Sequence, residues 1–175
     1  MGMHPNVFTP IKIGQVTVKN RIEFAPVGSL LALNGLMSRE LIEWGRQFAK
    51  GGAGIVTIGD STTVLPDGVQ GGPSLNLGTD RAVNPLNNFA ETMHRYGAKA
   101  SVQLNYRTPH SLNEMTQDDI KKVIDSYATA AFRCYKAGMD MVMVHGAHGH
   151  MISQFISPRK NNRTDGYGGS LKNRA

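Results

Sequence analysis

The chain has 175 residues, 40% of them hydrophobic, which suits one ordinary domain with a real core. Its net charge of +6 and pI near 9.6 suit an anionic cofactor or a solvated surface; aromatics are only 7%, and the sequence shows no RNA-recognition or zinc-finger pattern, so no nucleic-acid partner is expected. The single cysteine, Cys134, excludes an intrachain disulfide framework, and the absence of a leader or of any run near the roughly 18 apolar residues of a membrane span predicts a cytoplasmic protein that engages no membrane.

The first elements read as a hairpin, Ile11-Lys12-Ile13 and Val16-Thr17-Val18 around Gly14-Gln15, followed by a strand from Arg21 to Ala25. One unit then recurs: a helix, a glycine, a short apolar strand and a loop rich in Gly, Pro, Asn or Asp. Ser38 caps the first helix, which ends at Phe48-Ala49-Lys50-Gly51 and leads to the strand Ile55–Ile58. The second helix is expected to start with Asn84 as cap and Pro85 at its first position, ending at Gly97 before the strand Ala100–Leu104.

Thr116 with Asp119 opens the third helix as a capping box. Ile120, Val123, Ile124, Tyr127, Ala128, Ala131, Phe132 and Tyr135 follow helical spacing and predict its buried face. Gly138 then leads to Met141–Val144, read as a buried parallel strand. At and beyond its carboxyl end stand His145, His148 and His150 among small residues, where α/β folds place their chemistry. Trp44 and Cys134 read as packing residues, and Arg159, Lys160 and Arg163 as a solvated charge run.

Strands alternating with helices imply a parallel sheet, either open and doubly wound or part of a (β/α)8 barrel. The first strand runs into Ala25-Pro26-Val27-Gly28 rather than the G-x-G-x-x-G of a dinucleotide fold, which favours the barrel. The expected fold class is therefore α/β, a partial (β/α)8 TIM barrel of about four βα units behind an N-terminal β-hairpin; a full barrel needs about 250 residues.

Three segments carry a family resemblance: Pro10–Gly14 through Lys19-Asn20-Arg21-Ile22 to Ala25-Pro26; Val102-Gln103-Leu104-Asn105; and His145-Gly146-Ala147-His148-Gly149 through Gln154–Pro158 to Asn162–Ser170 and Asn173-Arg174. On these the chain resembles the Old Yellow Enzyme family of FMN-dependent oxidoreductases, the bacterial NADH:flavin oxidoreductase and 2,4-dienoyl-CoA-reductase-like branch in particular. The resemblance implies FMN as cofactor and NADH or NADPH as reductant, with hydride passed to the activated C=C bond of an enone, enoate or enoyl thioester. It assigns Pro26, Val27, Gly28 and Gly59 to contacts with the flavin ring and Gln103 to its pyrimidine edge. It assigns His145 and His148 to the substrate's carbonyl oxygen, where they would stabilise developing negative charge. His150 stands where many relatives carry a proton-donating tyrosine; an imidazolium of pKa near 6.5 is a stronger acid than a phenol near 10.

Two departures accompany the resemblance. The loop near 105–115 is shorter than the family's by several tens of residues, and residues 1–175 span only the N-terminal half of an FMN-binding barrel as a single incomplete domain. A homo-oligomer, or a missing C-terminal half, is therefore expected to complete a small-molecule site. Two other readings remain open at this point: a catalytically silent half-barrel or assembly module, and a metal-dependent hydrolase using the H-x-x-H-x-H cluster.

Overall fold

The computed structural model describes residues 4–63, 73–107 and 111–175, with the side chains of residues 60 and 62 excepted. The expected short loop near 105–115 lies partly outside the described residues. The hairpin forms as expected: β1 (Ile11–Ile13) pairs antiparallel with β2 (Val16–Val18), turning at Gly14 with φ +57°. A separate parallel sheet follows, built from β3 (Glu23–Phe24), β4 (Ile55–Thr62), β5 (Leu75–Asn76), β6 (Lys99–Asn105) and β7 (Met141–Val144). Its order is β3-β4-β6-β7, with β5 against the upper end of β4.

Three helices cross between these strands: α1 (Arg39–Lys50), α2 (Val83–Arg95) and α3 (Gln117–Lys136). All three pack on one side of the sheet. Val56, Ile58, Ala100, Val102 and Leu104 of the strands share a single buried cluster with Leu41 and Ala49 of α1, Phe89 and Met93 of α2, and Ala130 and Cys134 of α3. A doubly wound sheet would divide its helices between two faces. Helices on one face only, over a parallel sheet of consecutive βα units, define part of a (β/α)8 barrel. Trp44 does pack against the sheet, edge-on to Phe24 of β3 at 5.0 Å between ring centroids. Cys134 is buried in the same core, and burial pushes its thiol up to about 12.

Local signals set most helix ends. Ser38 Oγ accepts from Leu41 N at the start of α1, and Thr116 with Asp119 forms the full reciprocal capping box of α3. Gly97 and Gly138 take the left-handed conformation after α2 and α3, at φ +66° and +75°. After α1 that role passes to Gly52 (φ +102°), and Gly51 stays right-handed. The start of α2 also differs from expectation. A 3-10 turn, Asp80–Ala82, capped by Thr79 Oγ1, feeds directly into the helix at Val83, so Asn84 is interior and caps nothing. Thr79 already satisfies an orphan backbone donor, which leaves Asn84 no capping task.

On α3 the buried stripe is Ile120, Val123, Ala130 and Cys134, while Ile124, Phe132 and Tyr135 are exposed. Apolar spacing found a stripe wider than the sheet and α2 can cover. β7 likewise is not fully buried: Val142 and Val144 of its helix-side face are open because β7 lies at the sheet margin. Among the described residues, no helix is long and apolar enough to cross a membrane.

Candidate active site

Strand pairing decides which side chains meet. Ser101 pairs with Met141 and Gln103 with Met143, so Gln103, Asn105, Met143 and His145 fall on the face of the sheet away from the helices. His145 continues the ladder, its N–H donating to Leu104 O at 3.0 Å. Between Ile58 and Ser61 the β4–β6 register shifts, placing a bulge at Gly59-Asp60 beside the strand ends. The loop after β3 crosses here. A Cβ on Gly59 would lie 2.7 Å from Val27 N and 2.9 Å from Val27 C and O, so only glycine lets the two backbones approach this closely.

The turn after β7 gathers the histidines. His148 and Gly149 are both left-handed, at φ +56° and +75°, and His150 N closes the turn on Ala147 O at 3.1 Å. His150 then caps α4 (Met151–Ile156) with its backbone, and its ring makes no cap bond. The His145 ring lies 5.4 Å from that of His148 and 4.3 Å from that of His150, centroid to centroid. His145 is buried, His148 exposed and His150 between the two. Burial, followed by the neighbouring charges of His150 and His148, holds the His145 imidazole below its ordinary pKa, favouring the neutral ring.

A cavity of about 430 Å³ opens here, lined by Ala25, Pro26, Gly28, Gln103, Asn105, Arg107 and the three histidines. Six of the eight residues singled out in the sequence thus face one space: Pro26, Gly28, Gln103, His145, His148 and His150. Val27 and Gly59 do not line it; Gly59 is buried beneath the Val27 backbone and shapes the wall from behind. Asn105 and Arg107 line the cavity without having been singled out. Period-two alternation from Gln103 along β6 would have found Asn105. Asn105 is 4% exposed, its Nδ2 lies 3.0 Å from His150 Nδ1, and its Oδ1 has no partner.

The charge run after α4 divides. Arg159 and Lys160 are exposed as expected, but the Arg163 side chain is only 7% exposed. Its Nη1 donates to Leu112 O and Met115 O, and Nε and Nη2 engage Asp165, so four hydrogen bonds repay its burial. A second cavity, about 420 Å³ and apolar, lies on the helix side between α3, α4 and residues 166–175, apart from the histidines. Among the described residues no cluster of three or more His, Cys, Asp or Glu side chains is placed to hold a metal ion, so the hydrolase reading gains no centre.

The sequence profile described as the NADH:flavin oxidoreductase / NADH oxidase family matches residues 6–114 and 107–175, two segments that overlap within the stretch expected to be shortened. The chain is 32% identical over 195 residues to an NADH oxidase of Thermoanaerobacter brockii, covering 97% of this chain and 30% of that protein. It is 31% identical over 193 residues to an NADPH dehydrogenase of Halalkalibacterium halodurans, covering 98% of this chain and 57% of that protein. Among solved structures, Old Yellow Enzyme from Pichia sp. AKU4542 superposes with a TM-score of 0.83 at 27% identity, over 97% of this chain and 53% of that one. A 2-naphthoyl-CoA reductase complexed with 2-naphthoyl-CoA superposes at 0.87 and 28% identity, over 98% of this chain and 32% of that one. The chain therefore spans between about a third and somewhat over half of the length of these relatives.

Proposed function

Since this chain belongs to the NADH:flavin oxidoreductase / NADH oxidase family, we propose that residues 1–175 form the N-terminal half of an FMN-binding barrel and carry its substrate-polarising side. The reaction is reduction of an activated C=C bond in an enone, enoate or enoyl thioester, with NADH or NADPH as reductant. The observation that carries this is the single cavity in which small backbone-rich residues, Pro26 and Gly28, and the Gln103 amide face three convergent imidazoles. The residues fit FMN. The Gly59–Val27 approach packs two backbones tightly behind the wall, Gln103 offers a donor and an acceptor, and Asn105 Oδ1 is a buried acceptor with no protein partner.

FMN, when bound, supplies the hydride chemistry. The chain's own residues bind, orient and polarise. Pro26 and Gly28 bring backbone up to the ring, and Gln103 hydrogen-bonds its polar edge. His145, kept neutral by burial and by its neighbours, donates with His148 to the substrate's carbonyl oxygen, where negative charge grows as the β-carbon is reduced. His150 stands beside them as a further donor on the same rim.

The test is FMN titration of the purified chain, read by flavin absorbance and followed by NAD(P)H consumption on adding an enone. Weak but saturable binding is expected of this half of the site, weakened about a further two- to tenfold by Gln103→Leu, as the loss of one neutral hydrogen bond implies. Colourless protein that takes up no FMN overturns the proposal and leaves the half-barrel as an assembly module.

A further inference from the structure

We infer that Asn105 is a positioning residue that fixes the tautomer of His150, so that His150 meets the cavity as a neutral donor through Nε2–H. The inference rests on the assignment of the histidine cavity made above, and it turns on one juxtaposition. Asn105 Nδ2 lies 3.0 Å from His150 Nδ1. An amide nitrogen donates and cannot accept, so Nδ1 must present its lone pair, and the neutral ring's one proton resides on Nε2. As the amide is placed, its Oδ1 has no protein partner.

Three further observations agree. Asn105 is anchored in the interior of β6's ladder end, with its carbonyl accepting from Thr63 N at 2.8 Å, and is 4% exposed, so its amide is a fixed donor. The His150 backbone is pinned by its own bonds, N–H to Ala147 O and C=O accepting from Ser153 Oγ. The charged or titratable groups sharing the cavity are Arg107, His145 and His148, so no carboxylate in its lining competes with Asn105 for the ring nitrogen. His150 thus offers a directed hydrogen bond toward the substrate's oxygen, rather than the cationic acid that its place in the motif predicts.

The test uses the 15N-labelled chain without added cofactor, reading the ring-nitrogen shifts of His150 by two-bond 1H–15N correlation above pH 7.5. The expected parent spectrum shows Nε2 protonated and Nδ1 bare. Asn105→Asp, which can only accept from the ring, should move the proton to Nδ1. Asn105→Leu should give a mixture of the two tautomers, with the shifts of His94 as the control for an intact fold. A parent carrying its proton on Nδ1, or a tautomer identical in all three proteins, overturns the inference. Failure to bind FMN would sink the proposed function without touching this readout, and a free tautomer would sink this inference without touching FMN uptake.

Discussion

Gly59→Ala isolates the close backbone approach behind the candidate site. The added Cβ would stand 2.7–2.9 Å from Val27 N, C and O, so the Val27 backbone must retreat by about 0.5–0.7 Å to reach the 3.4 Å of ordinary contact. Backbone cannot swing aside as a side-chain tip can. The expected cost is that of overpacking, about 1–3 kcal/mol. For a chain of this size that lowers the melting temperature by about 2–4 °C per kcal/mol, hence roughly 2–12 °C. The same shift moves the loop carrying Pro26 and Gly28, so FMN uptake should fall with it. Gly166→Ala is the control: no atom lies within 4 Å of its added Cβ and its φ is not positive. Differential scanning calorimetry of the two variants decides the matter. Equal melting temperatures, with FMN uptake unchanged in Gly59→Ala, would refute the claim that this approach sets the wall.

Asp140, at the opposite end of the sheet, accepts from Lys99 Nζ (2.9 Å) and Ala100 N (2.8 Å) and pairs with His94 Nε2 (2.6 Å). Burial alone would raise its pKa, but these partners together pull it below the ordinary carboxylate value. A carboxylate depressed in the folded state stabilises above its unfolded pKa, near 3.9, and loses that contribution as pH falls through the folded value. Asp140→Asn should therefore cost about 1.5–3 kcal/mol in urea at pH 7, with the gap to the parent narrowing as the solution is acidified past the unfolded carboxylate's pKa of about 3.9; a gap that does not change on acidification contradicts this. Arg163→Met should cost about 2–4 kcal/mol, because it leaves the Leu112 and Met115 carbonyls and Asp165 without their partner. Hydrogen exchange should quicken at residues 111–116 and not in α1.

Most of what was legible rests on local signals. Gly97 and Gly138 after their helices, Ser38 and Thr116 as caps, and the Gly14 turn each act within a few residues and appear in place, whereas the Gly51 cap moved one residue to Gly52 and the Asn84 cap gave way to Thr79. The larger misses needed distant partners. The exposed Ile124, Phe132 and Tyr135 carry correct helical spacing, yet spacing cannot tell how far a neighbouring element reaches. The two-residue β5 has too little sequence to show a period, and it exists because Ser61 and Thr62 offer it an edge. Pairing of Arg163 with Asp165 was within reach of the sequence, but its burial was not, because that depends on carbonyls some 50 residues earlier in the chain. At the candidate site, H-x-x-H-x-H was visible at once, whereas Asn105 gained meaning only when β6 and the turn after β7 came together.

The left-handed backbone at position 148 restricts what a library could install there. Valine, isoleucine and threonine would set a branched Cβ against the preceding carbonyl, while histidine, asparagine, aspartate and glycine tolerate that twist. Of those four, only histidine and asparagine can present an N–H to an oxygen at neutral pH. Conformation and chemistry thus both favour histidine and asparagine, and a randomised codon screened for carbonyl recognition should be enriched in these two and depleted of valine, isoleucine and threonine.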